Sequence, residues 1–192
     1  MENFSKKQKM LSFVKRYAYL FLLVVGAVVL IVAVALTSNK KEQGEVVDVN
    51  ASRYTLAMPI LDATVTKGFS DSALQWNSTL GQYEAHMGID FYANAGTSVY
   101  SVLDGKVKSV EKNYLDGNTV TIEHGNGMVS VYSSLDDDIP VNVGDSVMKG
   151  DVIGKVGNTA GRELEMGNHL HFQLLEGDKK IDPAGYLNLE NK

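Results

Sequence analysis

The chain contains no cysteine. That excludes a disulfide framework and any thiolate-held metal, so a bound metal ion has to be held by nitrogen and oxygen. Histidine is scarce too, with 4 among 192 residues. Basic residues are in deficit, at 18 Lys and Arg against 23 Asp and Glu. Five of the bases (Lys6, Lys7, Lys9, Lys15 and Arg16) and one acid (Glu2) precede residue 17, which leaves 13 bases against 22 acids afterwards. So acidic a remainder argues against nucleic acid as a partner.

Charge is missing altogether from 17–36, a run dominated by Leu, Val, Ala, Ile and Phe. About twenty such residues cross a bilayer core as a helix. The basic cluster before it sets the N-terminus in the cytoplasm and everything after Thr37 outside. Ala33, Val34 and Ala35 resemble a leader cleavage site, which keeps a cleaved signal peptide as the alternative. The run is longer than an ordinary leader core, so an uncleaved anchor is the reading adopted. Residues 38–53 lack a helical stripe and carry Lys40, Lys41, Glu42, Glu45 and Asp48. As a flexible linker they would hold a domain roughly 20 Å from the membrane. The expected organisation is a cytoplasmic tail 1–16, a transmembrane helix 17–36, a linker 37–56 and a folded domain 57–188.

The domain reads as all-β. Apolar alternation recurs at 99–102, 106–110, 119–122, 128–132, 151–156 and 169–174. Turn residues separate these runs, among them Gly105, Gly117, Gly127, Gly144, Gly150 and Gly157. Short strands with frequent turns predict a sandwich or small barrel. Only 74–83 reads as a helix, on a weak stripe of Leu74, Leu80 and Tyr83.

Three of the four histidines fall into two groups. His169 and His171 alternate on one strand, so both imidazoles face the same side while Leu170 faces the other. His86 and Asp90 are four apart, a spacing that returns to the same face on a strand and on a helix; Gly88, Phe91 and Tyr92 favour the strand. Two such pairs can converge on one tetrahedral metal ion.

His-x-x-x-Asp followed by His-x-His, inside a glycine-punctuated β domain, resembles the lysostaphin/LytM-type zinc metallopeptidases that cut peptidoglycan cross-links. The likeness runs from about Pro59 to Tyr186. It includes Gly96 to Val99, Asp104 to Val107, Ile122 to Gly127 and Val143 to Gly154. The resemblance implies a LytM-type β domain binding one Zn2+ through His86, Asp90 and His171. Three protein ligands leave a fourth position for water, as catalysis requires. His169 would then be the neighbouring histidine that handles a proton or steadies the tetrahedral intermediate. His124 falls in a His-Gly-Asn-Gly turn that supplies no ligand.

The departures from the family pattern matter equally. Active members carry a histidine in a Tyr-x-His-Leu segment; here Tyr132, Ser133, Ser134 and Leu135 put Ser134 in its place. A serine hydroxyl does not exchange protons near neutral pH as imidazole does. Losing such a group costs about 10²–10⁴-fold in rate. The family's short Ser-Thr-Gly loop before His-x-His is replaced by a longer stretch, 161–167. It carries Glu163 and Glu165, which are expected at the groove rim. Phe69 to Ser72 lacks the family's arginine.

An anchor, a linker and an altered LytM domain together resemble a sporulation subgroup of the family found in endospore formers. That resemblance implies a forespore membrane protein whose domain faces the intermembrane space during engulfment. It would dock to the mother-cell stage III sporulation protein AH as part of a channel complex. Three readings follow: a docking module with hydrolysis impaired by Ser134, an active zinc endopeptidase on peptidoglycan, and a zinc that only pins strands.

Overall fold

The computed structural model describes residues 55–189 without a break, together with helical positions 16–18, 22–23, 25 and 27–28. Most of the expected anchor, and nearly all of the linker, lies outside the described residues. Among the described residues no helix is long and apolar enough to cross a membrane. The chain divides into two units at Val49/Asn50, and every described strand lies in the second.

Twelve strands follow in order. They are β1 (Thr64–Lys67), β2 (Ser70–Asn77), β3 (Gln82–His86), β4 (Ile89–Tyr92), β5 (Ser98–Tyr100) and β6 (Gly105–Asn113), then β7 (Gly117–His124), β8 (Met128–Leu135), β9 (Ser146–Val147), β10 (Val152–Lys155), β11 (His169–Glu176) and β12 (Lys179–Ile181). One sheet runs β1-β4-β11-β8-β7-β6-β9, with β12 on the end of β11; β10 pairs with β5 and β2 with β3 in two small sheets. All pairings are antiparallel. All six predicted strands are present.

The period-2 pattern dictates which face is dry. On β11, Leu170, Phe172 and Leu174 are fully buried. They pack with Ile89 and Phe91 of β4, Tyr132 of β8, and Val120 and Ile122 of β7. The rings of Tyr132 and Phe172 lie 5.3 Å apart in a tilted pair. Each such side chain contributes about 1.5–3 kcal/mol by leaving water. At the domain edge, the Leu56 N–H donates to the Tyr186 carbonyl at 3.1 Å and its side chain is buried.

Tight turns flank β9: the Asp145 N–H donates to the Asn142 carbonyl and the Asp151 N–H to the Met148 carbonyl. Gly144 and Gly150, at φ 95° and 91°, hold left-handed conformations that a Cβ would strain.

The helix expected at 74–83 is a hairpin instead. Gln75, Trp76 and Asn77 pair with Glu84, Tyr83 and Gln82, and the Trp76 and Tyr83 rings meet edge-on at 5.2 Å. Leu74, Leu80 and Tyr83 are exposed, so a helix here would have had no core to bury its stripe against. The cross-strand aromatic pair and a left-handed Gly81 decide for the hairpin.

Candidate metal centre

The central strand β11 sends alternate side chains to opposite faces. Leu170 and Phe172 enter the core, while His169 and His171 point away from it and are buried as well. In the neighbouring ladder His171 stands opposite Asp90 of β4. Directly opposed residues share a face, so register alone brings this imidazole and carboxylate together.

His86 arrives differently. The expectation that His86 and Asp90 share one strand is not met, because His86 ends β3 and Asp90 lies in β4, with a bend at 87–88. The bend, rather than a strand period, returns His86 to the site. Gly88 makes it possible: a Cβ there would sit 2.7 Å from the Phe172 carbonyl oxygen and 2.9 Å from the His171 ring.

His86 Nε2 lies 3.3 Å from His171 Nδ1 and 3.2 Å from Asp90 Oδ2, and His171 Nδ1 lies 2.7 Å from Asp90 Oδ1. A fourth group, Glu163, joins them. Its Oε1 is 3.7 Å from His86 Nε2, and its Oε2 is 3.5 Å from His171 Nδ1 and 3.4 Å from His169 Nε2. One donor atom from each of His86, Asp90, Glu163 and His171 falls within 4.8 Å of the others.

This donor set fits zinc. Zinc bonds of about 2.0–2.1 Å in a tetrahedron separate the donors by roughly 3.3 Å, and the contacts observed scatter around that edge length. Asp90 Oδ2, Glu163 Oε2 and His169 Nε2 are buried and make no well-formed hydrogen bond; their nearest polar contacts are the His86–Asp90 and His169–Glu163 ion pairs at 3.2 and 3.4 Å. Unpaired buried groups are costly, and a cation among them would remove the cost for the carboxylates.

Outer contacts fix the rings. The Gly68 carbonyl accepts from His86 Nδ1 at 2.8 Å, which frees Nε2 for the centre. The Gln173 amide nitrogen donates to His171 Nε2 at 2.8 Å, which holds that ring with Nδ1 toward Asp90 Oδ1. His169 Nδ1 donates to the Gly167 carbonyl at 2.8 Å, leaving Nε2 facing Glu163.

Burial and charge pull against each other throughout. Burial disfavours the charged form of Asp90, but hydrogen bonds from His171 and His86 overcome it and hold the carboxyl well below the usual range. Glu163 is likewise lowered, its burial outweighed chiefly by His169. His86 and His169 are raised in spite of burial, by Asp90 and Glu163 respectively.

Of the residues predicted for the site, His86, Asp90, His169 and His171 are brought together. Ser134 sits one strand away. The Gly157 N–H donates to the Ser134 carbonyl, and the His169 N–H donates to the Gly157 carbonyl. Ser134 is fully buried at φ 63°, and its hydroxyl has no hydrogen-bond partner. His124 is a buried structural residue, its Nδ1 bonded to the Asp104 carbonyl at 2.9 Å and its Nε2 2.7 Å from Ser130 Oγ. The expectation for 161–167 needs correction at one position. Glu165 is exposed, but Glu163 is only 2% exposed and lies in the cluster, not on a rim. The available signal was an acid six residues before His169 in a loop of unusual length.

An antiparallel sheet whose β4 and β11 bring Asp90 and His171 beside His86 has the LytM-type metallopeptidase fold. The profile of Peptidase family M23 matches residues 84–183, and the chain belongs to that family. Stage II sporulation protein Q of Bacillus subtilis (strain 168) is 31% identical over 159 residues, which cover 75% of this chain and 54% of that protein. The crystal structure of a zinc containing peptidase from Vibrio cholerae superposes with a TM-score of 0.60 at 32% identity, covering 70% of this chain and 40% of that one. The structure of the SpoIIQ-SpoIIIAH pore forming complex gives a TM-score of 0.61 at 29% identity, covering 70% of this chain and 91% of that one. The chain spans about half or less of the length of the curated relatives it matches.

Proposed function

We propose that this protein is a membrane-anchored docking module of sporulation, akin to stage II sporulation protein Q. In this reading residues 1–16 are cytoplasmic, 17–36 cross the forespore membrane, and 37–56 link them to the domain 57–188. That domain faces the intermembrane space and binds stage III sporulation protein AH of the mother cell, as part of a channel complex. The observation that carries the reading is the likeness to stage II sporulation protein Q together with that to a chain of a SpoIIQ-SpoIIIAH complex, which spans nearly all of that chain.

His86, Asp90 and His171 would hold one Zn2+. When bound, the ion supplies Lewis acidity toward a peptide carbonyl. Gly68 and Gln173 orient the two imidazoles, and His169 presents Nε2 as a proton carrier. Ser134 supplies no second carrier, because a hydroxyl neither takes up nor releases a proton near neutral pH. Hydrolysis is therefore impaired while the ligand set stays whole.

The complete ligand set favours a second reading, an active zinc endopeptidase on peptidoglycan cross-links. Purified full-length chain, assayed for zinc and incubated with peptidoglycan, separates the two. New peptide termini whose release stops with a chelator would overturn a purely docking role. Binding to the extracytoplasmic part of stage III sporulation protein AH is the positive test. Absence of binding by folded protein would count against the sporulation assignment.

A further inference from the structure

Glu163 is the acidic member of the cluster that neither histidine motif accounts for. Its segment, the 3₁₀ turn Gly161–Met166, is fastened on both sides. The Gly161 and Arg162 N–H groups donate to the Tyr114 and Leu115 carbonyls at 2.9 and 3.2 Å. Asn77 Nδ2 donates to the Arg162 carbonyl, and the Glu165 N–H to Thr79 Oγ1, both at 3.0 Å. Gly161 leaves no room for slack, since a Cβ there would collide with the Tyr114 carbonyl oxygen. Glu163 itself breaks the 3₁₀ geometry at φ −129°, ψ 23°. The backbone on either side is pinned while this one side chain is buried among the histidines.

Two observations show what the carboxylate is doing. Its Oε2 stands 3.5 Å from His171 Nδ1 and its Oε1 3.7 Å from His86 Nε2, the two nitrogens turned toward the centre, and one of its oxygens lies within 4.8 Å of a donor atom from each of His86, Asp90 and His171. That places a carboxylate oxygen within reach of an ion held by the other three, whose tetrahedral edge is roughly 3.3 Å. Its Oε2 is also buried and makes no well-formed hydrogen bond, with His169 Nε2 3.4 Å away. Charge points the same way. Two neutral imidazoles and Asp90 would leave a buried Zn2+ with one uncompensated positive charge, and a second carboxylate cancels it.

We propose that Glu163 is a fourth protein ligand, which closes the position that hydrolytic zinc sites keep open and makes this a four-coordinate structural centre. The proposal rests on the reading that His86, Asp90 and His171 bind zinc. A closed site would oppose hydrolysis independently of Ser134, and it would tie the 161–166 turn to strands β3, β4 and β11.

The test replaces zinc with Co2+ in the full-length protein and follows the visible absorption during titration with acetohydroxamate, a ligand that enters open metal positions. The wild-type spectrum should not respond. Glu163→Ala should respond, and both Glu163→Ala and Glu163→Gln should weaken zinc binding tenfold or more in a chelator competition. Glu163→Gln keeps the side-chain shape, so it reports even if the alanine variant fails to fold. A wild-type spectrum that shifts with acetohydroxamate, or equal zinc affinity in wild type and Glu163→Gln, overturns the fourth ligand and leaves the three-ligand reading intact. No metal uptake by wild type overturns both.

Discussion

Gly88 is where backbone geometry meets the proposed metal centre, and Gly88→Ala tests that link. The added methyl would lie 2.7 Å from the Phe172 carbonyl oxygen and 2.9 Å from His171 Cε1 and Nε2, all closer than real Cβ atoms come. The carbonyl belongs to a central strand and cannot retreat, so the His171 ring or the 87–88 bend must shift by about 0.3–0.5 Å. Metal sites tolerate only about 0.2 Å in their distances. Disturbing the support of a ligand typically weakens binding 10–100-fold. In excess zinc that corresponds to about 1.4–2.7 kcal/mol of linked stability, beside about 1–3 kcal/mol of overpacking. The assays are zinc affinity by chelator competition and thermal melting with zinc and with chelator. Gly185→Ala is the control, since its Cβ would meet nothing within 4 Å. The expected result is weaker zinc binding by Gly88→Ala and a smaller gap between its two melting temperatures. Wild-type affinity in Gly88→Ala would refute the reasoning.

Tyr132→Phe keeps the ring but strips the acceptor of the buried Val102 N–H, now bonded at 2.9 Å. It should cost about 1–3 kcal/mol by chemical denaturation at an unchanged fold. That hydroxyl is fully buried and pushed up to about 12, so it stays protonated across the working range. His124 is pushed below its ordinary 6.5, chiefly by burial. The unfolded chain therefore takes up a proton at higher pH than the folded one does. The contribution of His124 to stability is complete above about pH 6.5 and lost as pH falls below it. An imidazole titration by NMR with a midpoint at or above 6.5 would contradict this. Ser134→His alone should leave peptidoglycan uncut while Glu163 closes the site. Combined with Glu163→Ala it should produce chelator-sensitive release of peptide termini. Cleavage by Ser134→His alone would make the missing histidine the only obstacle.

Much of the site was legible because strand periodicity is local. Alternation fixed His169 and His171 on one face and Leu170 on the other, and the two-motif resemblance joined them to His86 and Asp90. The 74–83 segment was misread because a weak apolar stripe has the same spacing whether or not a core exists to receive it. Only the Trp76 and Tyr83 cross-strand contact and the exposure of Leu74 and Leu80 decide that question.

By itself the sequence determined the all-β class, the N- and O-donor character of the site, and four of the residues in it. These follow from composition, from the two-residue period, and from motifs whose members lie close together in the chain. Tertiary structure alone decided that Asp90 opposes His171, that a bend at Gly88 rather than a strand period returns His86, and that Glu163 stands inside the cluster. Those facts depend on ladder register, on a close approach between β11 and a glycine more than eighty residues earlier, and on a turn pinned to Tyr114, Leu115 and Asn77. Such long-range contacts have no local spacing to announce them.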